Sequence, residues 1–381
     1  MSFDRLKDFL DYYLPMLGVP GSDTVIYKNH EEVFRYQSGY DSIKDRIPVK
    51  SDLIYNIYAC TKIVTAVAAL QLLERGEILL SDPVHIYFPE YKNLKIKKLF
   101  SDGSEQVVPS EKPMLIKHLF SMTSGLDCNV NRSSIQRIKS ATFGKCPTLD
   151  VIRALPEDPL EFTPGDRYCY GLSFDVLGGI VELISGMSLG DYMRSNIFEP
   201  LGMQDTGFKL NENSCNRLAT QYEYDPIARY PVEISSVENR MRLGSEYESG
   251  GEGLYSTVDD FVLLMDALAN GGVGKNGSRI LSTSTVELMR KTLLNAEQNA
   301  EYERMGHFGY TYCYGVRTMS DPASAGSLVP KGTFGCDGVK MSFAFSDPKN
   351  KIAIFHAEHL GGVNSILIPR LLNVIYSCID E

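Results

Sequence analysis

Ala59 and Lys62 stand three residues apart in the segment Tyr58-Ala59-Cys60-Thr61-Lys62. That is the spacing of a Ser-x-x-Lys pair, in which a serine attacks a carbonyl carbon and a lysine amine takes the serine proton. Here the serine position holds an alanine. The residues that follow predict a helix from Thr61 to Arg75, with Ile63, Val64, Val67, Leu70, Leu72 and Leu73 spread over nearly all its faces and Gly76 as its stop. A helix apolar all round is a buried one. At its first turn positions 59 and 62 share a face, so the amine reaches whatever stands at 59. A lysine in such an apolar setting loses solvation of its charged form and becomes able to accept a proton. Cys60 carries a thiol, but one residue along a helix is a turn of about 100°, which points it elsewhere.

Other chemistries fail on spacing. His356-Ala357-Glu358-His359 follows an apolar strand run and reads as a strand end or pocket rim rather than a metal site. His30-Glu31-Glu32-Val33 lacks the second histidine of a zincin, and Gly272-Val273-Gly274-Lys275-Asn276-Gly277 shares only composition with a phosphate loop. Tyr55, Tyr58 and Tyr168 lie close enough in sequence to the motifs to line a pocket, though half-buried packing explains each equally well.

Three more segments follow in order: Ser121-Met122-Thr123-Ser124-Gly125-Leu126, Tyr168-Cys169-Tyr170-Gly171-Leu172-Ser173, and Phe334-Gly335-Cys336-Asp337-Gly338 ahead of Asp347-Pro348. Together with the first motif they resemble the serine β-lactamase-like superfamily from about Pro20 to the last helix. The pattern is nearest to class C β-lactamases, D-aminopeptidases and the β-lactamase-like esterases and acyltransferases. The resemblance implies that position 59 (Ala59) is the nucleophile position, that Lys62 and Tyr170 are its catalytic partners, and that the backbone N–H groups of Ala59 and Val339 form the oxyanion hole. It places Leu172, Cys336, Asp337 and Gly338 as substrate-binding positions. Two departures stand out. Leu172 replaces a frequent asparagine, as in esterase-like members, and Cys336-Asp337-Gly338 lacks the cation with which β-lactamases hold a substrate carboxylate.

Positioning these groups requires elements from both chain ends. Thr24-Val25-Ile26-Tyr27 and Val33-Phe34-Arg35-Tyr36 predict two strands joined by the turn Lys28-Asn29-His30-Glu31, within Asp23 to Tyr40. Met341 to Phe345 and Ile352 to Ala357 predict two more around Asp347-Pro348-Lys349-Asn350, before a helix from about Ile366 to Cys378. Ser256-Thr257-Val258-Asp259 predicts a capped helix through Phe261 to Leu268, closed by Gly271-Gly272. Gly250-Gly251-Glu252-Gly253 just ahead predicts a tight turn, either at the site entrance or simply where backbones approach. The stretch from about Leu115 to Leu201 reads as largely helical. The expected fold is α/β (α+β), β-lactamase/DD-peptidase-like: an antiparallel sheet built from both chain ends, flanked by helices, plus a largely helical lobe. We expect one domain over residues 1–381, its sheet lobe from about 1–84 and 245–381 and its helical lobe from about 85–244.

Composition narrows the rest. At 381 residues the chain exceeds the single-core size of about 250 to 300, so two lobes are expected. The net charge of -10, with no basic cluster, argues against nucleic acid. Met1 to Leu10 carries charges and no long apolar core, and no apolar run approaches the ~20 residues that span a bilayer. Eight cysteines without Cys-x-x-Cys spacing read as free thiols in a reducing compartment, hence a cytoplasmic protein with no membrane partner. The reading that results is a serine hydrolase or acyltransferase for a small-molecule ester or amide, without metal or organic cofactor and inactive in this Ala59 form. The alanine reads as an engineered Ser-to-Ala change, because a chain freed from catalysis would let Lys62, Tyr170 and the glycine-rich strand drift. A natural pseudoenzyme that binds in the same cleft is the alternative, and a β-lactamase or D-Ala-D-Ala peptidase a third.

Overall fold

The computed structural model describes residues 2–100, 102–362 and 367–379. Its centre is an eight-stranded sheet made from strands β1 (Gly21–Lys28), β2 (Glu31–Ser42), β3 (Ile47–Pro48), β4 (Tyr310–Tyr312), β5 (Arg317–Met319), β6 (Phe334–Asp337), β7 (Phe343–Asp347) and β8 (Ile352–Ala357). The order across the sheet is β4-β5-β6-β7-β8-β1-β2-β3, with every pairing antiparallel. The first strand therefore lies beside the last, Asp23 opposite Ala357 and Lys28 opposite Ile352. Its partner β2 returns through Asn29 and His30, both at positive φ (51° and 72°), as a tight two-residue hairpin turn demands.

Helix α1 (Thr61–Glu74) is buried from Thr61 to Leu72, and Gly76 adopts φ 71° just beyond its end. Its buried polar side chains are bonded inward: Thr65 Oγ1 donates to Gly250 O at 2.7 Å, and Gln71 Nε2 to Ile280 O at 3.0 Å. Helix α2 (Ser173–Ser185) packs on α1, and α3 (Val258–Ala269) lies against β1, β7 and β8 with Phe261 and Phe355 rings 5.0 Å apart. The Thr257 side chain caps α3 by accepting from Asp260 N, and Gly272 N returns to Ala267 O at 2.8 Å. Helix α4 (Leu367–Ile379) covers the other sheet face, where Leu371 and Ile375 meet Leu6, Leu10 and Leu14 of the N-terminal helical turns. The expected start of this helix at Ile366 lies outside the described residues.

Several local expectations need correction. The strand expected at Met341 to Phe345 begins at Phe343, because Met341 sits at φ 70° and belongs to the bend before it. The lobe expected over about 85–244 also holds two hairpins on either side of the stretch from Leu115 to Leu201, Lys95–Leu99 with Glu105–Pro109 and Gln221–Asp225 with Tyr230–Ile234. Their charged, weakly alternating sequences give little strand signal, and the second is held in place by a parallel contact to Leu360 and Gly361 from the far end of the chain. All eight cysteines are unpaired. Among the described residues no single helix is long and apolar enough to cross a membrane, and no cluster of His, Cys, Asp and Glu forms a metal-holding group. The doublet of histidines near the chain end is structural in its contacts. His356 Nδ1 lies 2.8 Å from Thr24 Oγ1 and its Nε2 3.2 Å from Glu358, all buried, while His359 packs edge-on against Tyr55.

Candidate active site

The α1 helix begins in a single 3-10 turn, Tyr58–Cys60, and Tyr58 enters it at φ 44°. A non-glycine residue in the left-handed region costs on the order of 1–3 kcal/mol and persists only where its surroundings hold it. Here the Tyr58 hydroxyl donates to Gln221 Oε1 and to Glu238 O, from the second hairpin and the loop after it. The effect is to present Ala59 at the leading end of a long buried helix. Alongside runs the end of β6. Cys336 Sγ lies 3.3 Å from Ala59 O, Cys60 Sγ 3.5 Å from Cys336 O, and a Cβ on Gly338 would stand 3.0 Å from Ile57 O. Glycine at 338 is thus what lets the strand approach the turn.

Tyr170 arrives from the loop before α2, and the Ser121–Leu126 motif is what fixes that loop. Cys169 N donates to Met122 O at 2.8 Å, Leu172 N to Asp127 O at 3.2 Å, and Ser124 Oγ meets Ser173 Oγ at 2.8 Å. Gly171 has no room for a Cβ, which would fall 2.1 Å from Leu126 O. Lys62, 1% exposed, carries its ammonium nitrogen 4.6 Å from the Tyr170 ring centroid. That nitrogen donates to Gly251 O at 2.8 Å and lies 3.8 Å from Glu252 Oε1. The glycine-rich turn therefore packs directly on α1; Leu254 N also donates to Thr61 Oγ1 at 3.1 Å. Gly250 is required there, since a Cβ would meet the backbone Phe174 O at 2.4 Å, and one on Gly251 would press the Asp175 side chain at 2.8 Å.

Above these groups opens a cleft of about 250 Å³. Ala59 lies at its base, Gly335 to Val339 form one wall, and Tyr168, Tyr170, Tyr302 and Tyr312 form the other. Tyr168, Tyr302 and Tyr312 pack edge to face at 5.1 to 5.7 Å, and His307 stacks on Tyr302 at 4.4 Å. Burial holds the Tyr170 phenol well above its ordinary pKa, and the nearby Glu252 carboxylate adds to the push. It stays protonated at neutral pH. Burial likewise pushes the Cys336 thiol up to about 12, with Asp337 adding to it, and the wholly buried Cys60 thiol rises too. Neither is a thiolate near pH 7.

Of the sequence-predicted positions, Ala59, Tyr170, Val339, Cys336, Asp337 and Gly338 line this cleft, and Lys62 lies just beneath it against Tyr170. Leu172 does not. It is 1% exposed at the N-terminal end of α2, within the core. Of the three further tyrosines considered, only Tyr168 lines the cleft. The triplet Cys336-Asp337-Gly338 carries no cation itself, but Arg317 of β5 reaches Asp337 across the strand pair at 2.5 Å, between the Tyr310 and Phe345 rings, each 5.1 Å away. Its charge is spent on that carboxylate. Arg317, Tyr302, Tyr312, His307 and Arg240 were not read as site residues, because they come from short strands and loops far from any motif. Only the turn around Glu252 gave a signal.

Comparison with known proteins follows the same lines. The family model described as Beta-lactamase matches residues 6–357. Esterase EstB of Burkholderia gladioli is 29% identical over 98% of this chain and 95% of its own length. Acyltransferase calJ of Penicillium decumbens is 28% identical over 90% of this chain and 84% of its own. Among solved structures, EstCE1, described as a hydrolase with promiscuous acyltransferase activity, superposes with a TM-score of 0.79 at 22% identity, covering 98% of this chain and 97% of its own. At that identity the likeness speaks for the fold.

Proposed function

The chain belongs to the Beta-lactamase family, and from that premise we propose that its cleft is built for acyl transfer from a small-molecule ester or amide to a residue-59 hydroxyl, then to water or an alcohol. The relatives named above, an esterase and an acyltransferase, support this class over others. The observation that carries the reading is the buried Lys62 with its ammonium over the ring of Tyr170, which lines the cleft together with Ala59. An unused lysine would not be kept 1% exposed.

In the scheme, a serine at 59 attacks the carbonyl while Lys62 and Tyr170 relay its proton to the departing alcohol or amine. A protonated Tyr170 suits the donor half of that relay. The backbone N–H groups of Ala59 and Val339 stabilise the tetrahedral oxyanion, and neither depends on the side chain at 59. With Ala59 no acyl-enzyme forms, so this form binds without cutting by that route. Arg317 held by Asp337 supports an ester or amide without a free carboxylate over a β-lactam or D-Ala-D-Ala peptide. We read the chain as one catalytic domain of two lobes, and its eight unpaired cysteines support a reducing, cytoplasmic setting.

The test is Ala59→Ser, assayed on short-acyl nitrophenyl esters and fluorophosphonates. Hydrolysis with an acyl-enzyme detectable by intact mass is expected. A folded serine form that neither turns over nor acylates with a broad panel would hand the case to a non-catalytic ligand-binding protein.

A further inference from the structure

The acyl-transfer scheme leaves one cleft group without a task. Glu252 lines the cleft with its side chain only 10% exposed, and its backbone is fixed on both sides: N–H to Ser249 Oγ at 3.1 Å, C=O from Asn239 Nδ2 at 2.8 Å. Its carboxylate is not. The ammonium of Lys62 stands 3.8 Å away and donates instead to Gly251 O, and among the described residues no hydrogen-bond donor meets either carboxylate oxygen. A carboxylate buried this far and left without a donor is costly unless something in the cleft supplies one. Burial favours the protonated phenol of Tyr170, whose ring the same Lys62 ammonium faces.

We propose that Glu252 is the base that activates the deacylating water; the inference rests on the acyl-enzyme reading above. A water donating to Glu252 attacks the carbonyl carbon of the seryl ester formed by the Ala59→Ser variant. The new C–O bond forms as one water proton passes to the Glu252 carboxylate, and the carbonyl electron pair moves to the oxyanion held by the N–H groups of residues 59 and 339. Collapse breaks the bond to the seryl oxygen, which takes a proton from the Tyr170–Lys62 pair. Glu252 then returns its proton to Lys62, 3.8 Å away, and both groups are reset. The balance is ester plus water to carboxylic acid plus serine hydroxyl.

Alcohol acceptors need not use this route. Transfer to an alcohol is the reverse of acylation by an alkyl ester, so by microscopic reversibility its proton is handled by the same Tyr170–Lys62 relay. Glu252 then decides hydrolysis against transfer and leaves acylation alone.

The experiment compares Ala59→Ser with Ala59→Ser/Glu252→Gln on nitrophenyl butyrate, with and without added methanol. The glutamine form should release one equivalent of nitrophenol in a burst, accumulate acyl-enzyme by intact mass, and hydrolyse about 100-fold more slowly, as loss of a general base predicts. Methanol should restore turnover and give mostly methyl ester. Glu252→Asp should regain part of the hydrolysis, with melting curves checking that each form folds. Hydrolysis within about threefold of the parent, or acylation slowed as much as deacylation, would overturn the proposal; the latter would make Glu252 only a partner that orients Lys62. If Ala59→Ser itself never acylates, the acyl-enzyme reading falls, and this inference falls with it.

Discussion

Lys62 Nζ stands over the Tyr170 ring, 4.6 Å from its centroid, and the proposed relay makes the two one proton-transfer unit. In the Ala59→Ser background, Lys62→Ala and Tyr170→Phe should each remove most of the activity. Their combination should cost little more than the worse single change, which kcat/KM for the four forms will show. Losses that multiply would mean separate roles. The ion pair on the opposite wall makes a second residue-scale prediction. Arg317 is committed to Asp337, so penicillins and cephalosporins should be poor ligands, and Asp337→Asn should free the guanidinium. A regained charge-assisted hydrogen bond is worth about 1.5–3 kcal/mol, or tenfold to a hundredfold in affinity for carboxylate-bearing ligands, measurable by calorimetry on the Ala59 form. Unchanged affinity would show that Arg317 does not face the ligand.

At the scale of elements, the site is a meeting of four chain segments whose backbones nearly touch. The turn at 250–253 is one of the tight ones. A Cβ on Gly250 would stand 2.4 Å from Phe174 O, a backbone atom that cannot swing aside. Gly250→Ala should therefore push the turn off α1 and α2, costing about 1–3 kcal/mol in urea unfolding. Because Lys62 loses its Gly251 acceptor in the process, acylation in the serine background should fall with it. Gly76→Ala, where nothing lies within 4 Å but φ is 71°, isolates the backbone part: it should cost about 1 kcal/mol and spare the site. Equal kinetic losses in the two would show that the turn is not specifically tied to the lysine.

The whole molecule should be sensitive to acid. His359 and His118 are both buried, and burial lowers each to about 4 from 6.5. Leu115 N donates to His118 Nδ1 at 3.2 Å, which needs the neutral ring. A lowered folded-state pKa gives stability that is full above the unfolded value near 6.5 and lost as pH falls through 4, about 3 kcal/mol for each histidine. Asp23 opposes them. Burial raises its carboxyl to about 6, so its contribution is present below 3.8 and lost as pH rises through 6, again about 3 kcal/mol. Glu182, also raised by burial to about 6, offsets a further part, so these four groups leave a net loss of about 1–2 kcal/mol between pH 7 and 4. Calorimetric melts across that range should show it, and His359→Phe, which keeps the packing against Tyr55, should flatten the profile. An identical profile in that variant would exclude His359 as a titrating group.

The sequence by itself determined what depends on neighbours a few residues apart. The buried helix after Ala59, the hairpin at Asn29-His30, the Thr257 cap and the antiparallel strands at both ends follow from periodicity and turn chemistry, and the ordered motifs led to Lys62 and Tyr170. Tertiary structure alone decided the charges of the cleft. Glu252 meets Lys62 across 190 positions, Arg317 meets Asp337 only because β5 pairs with β6, and Cys336 rather than Cys60 faces the cleft because of where that strand crosses the 3-10 turn. Such contacts are set by register and by the approach of backbones at Gly250 and Gly338, and no local pattern encodes them. Leu172 marks the same boundary from the other side: its place in a motif suggested a ligand contact, and packing at the start of α2 put it in the core.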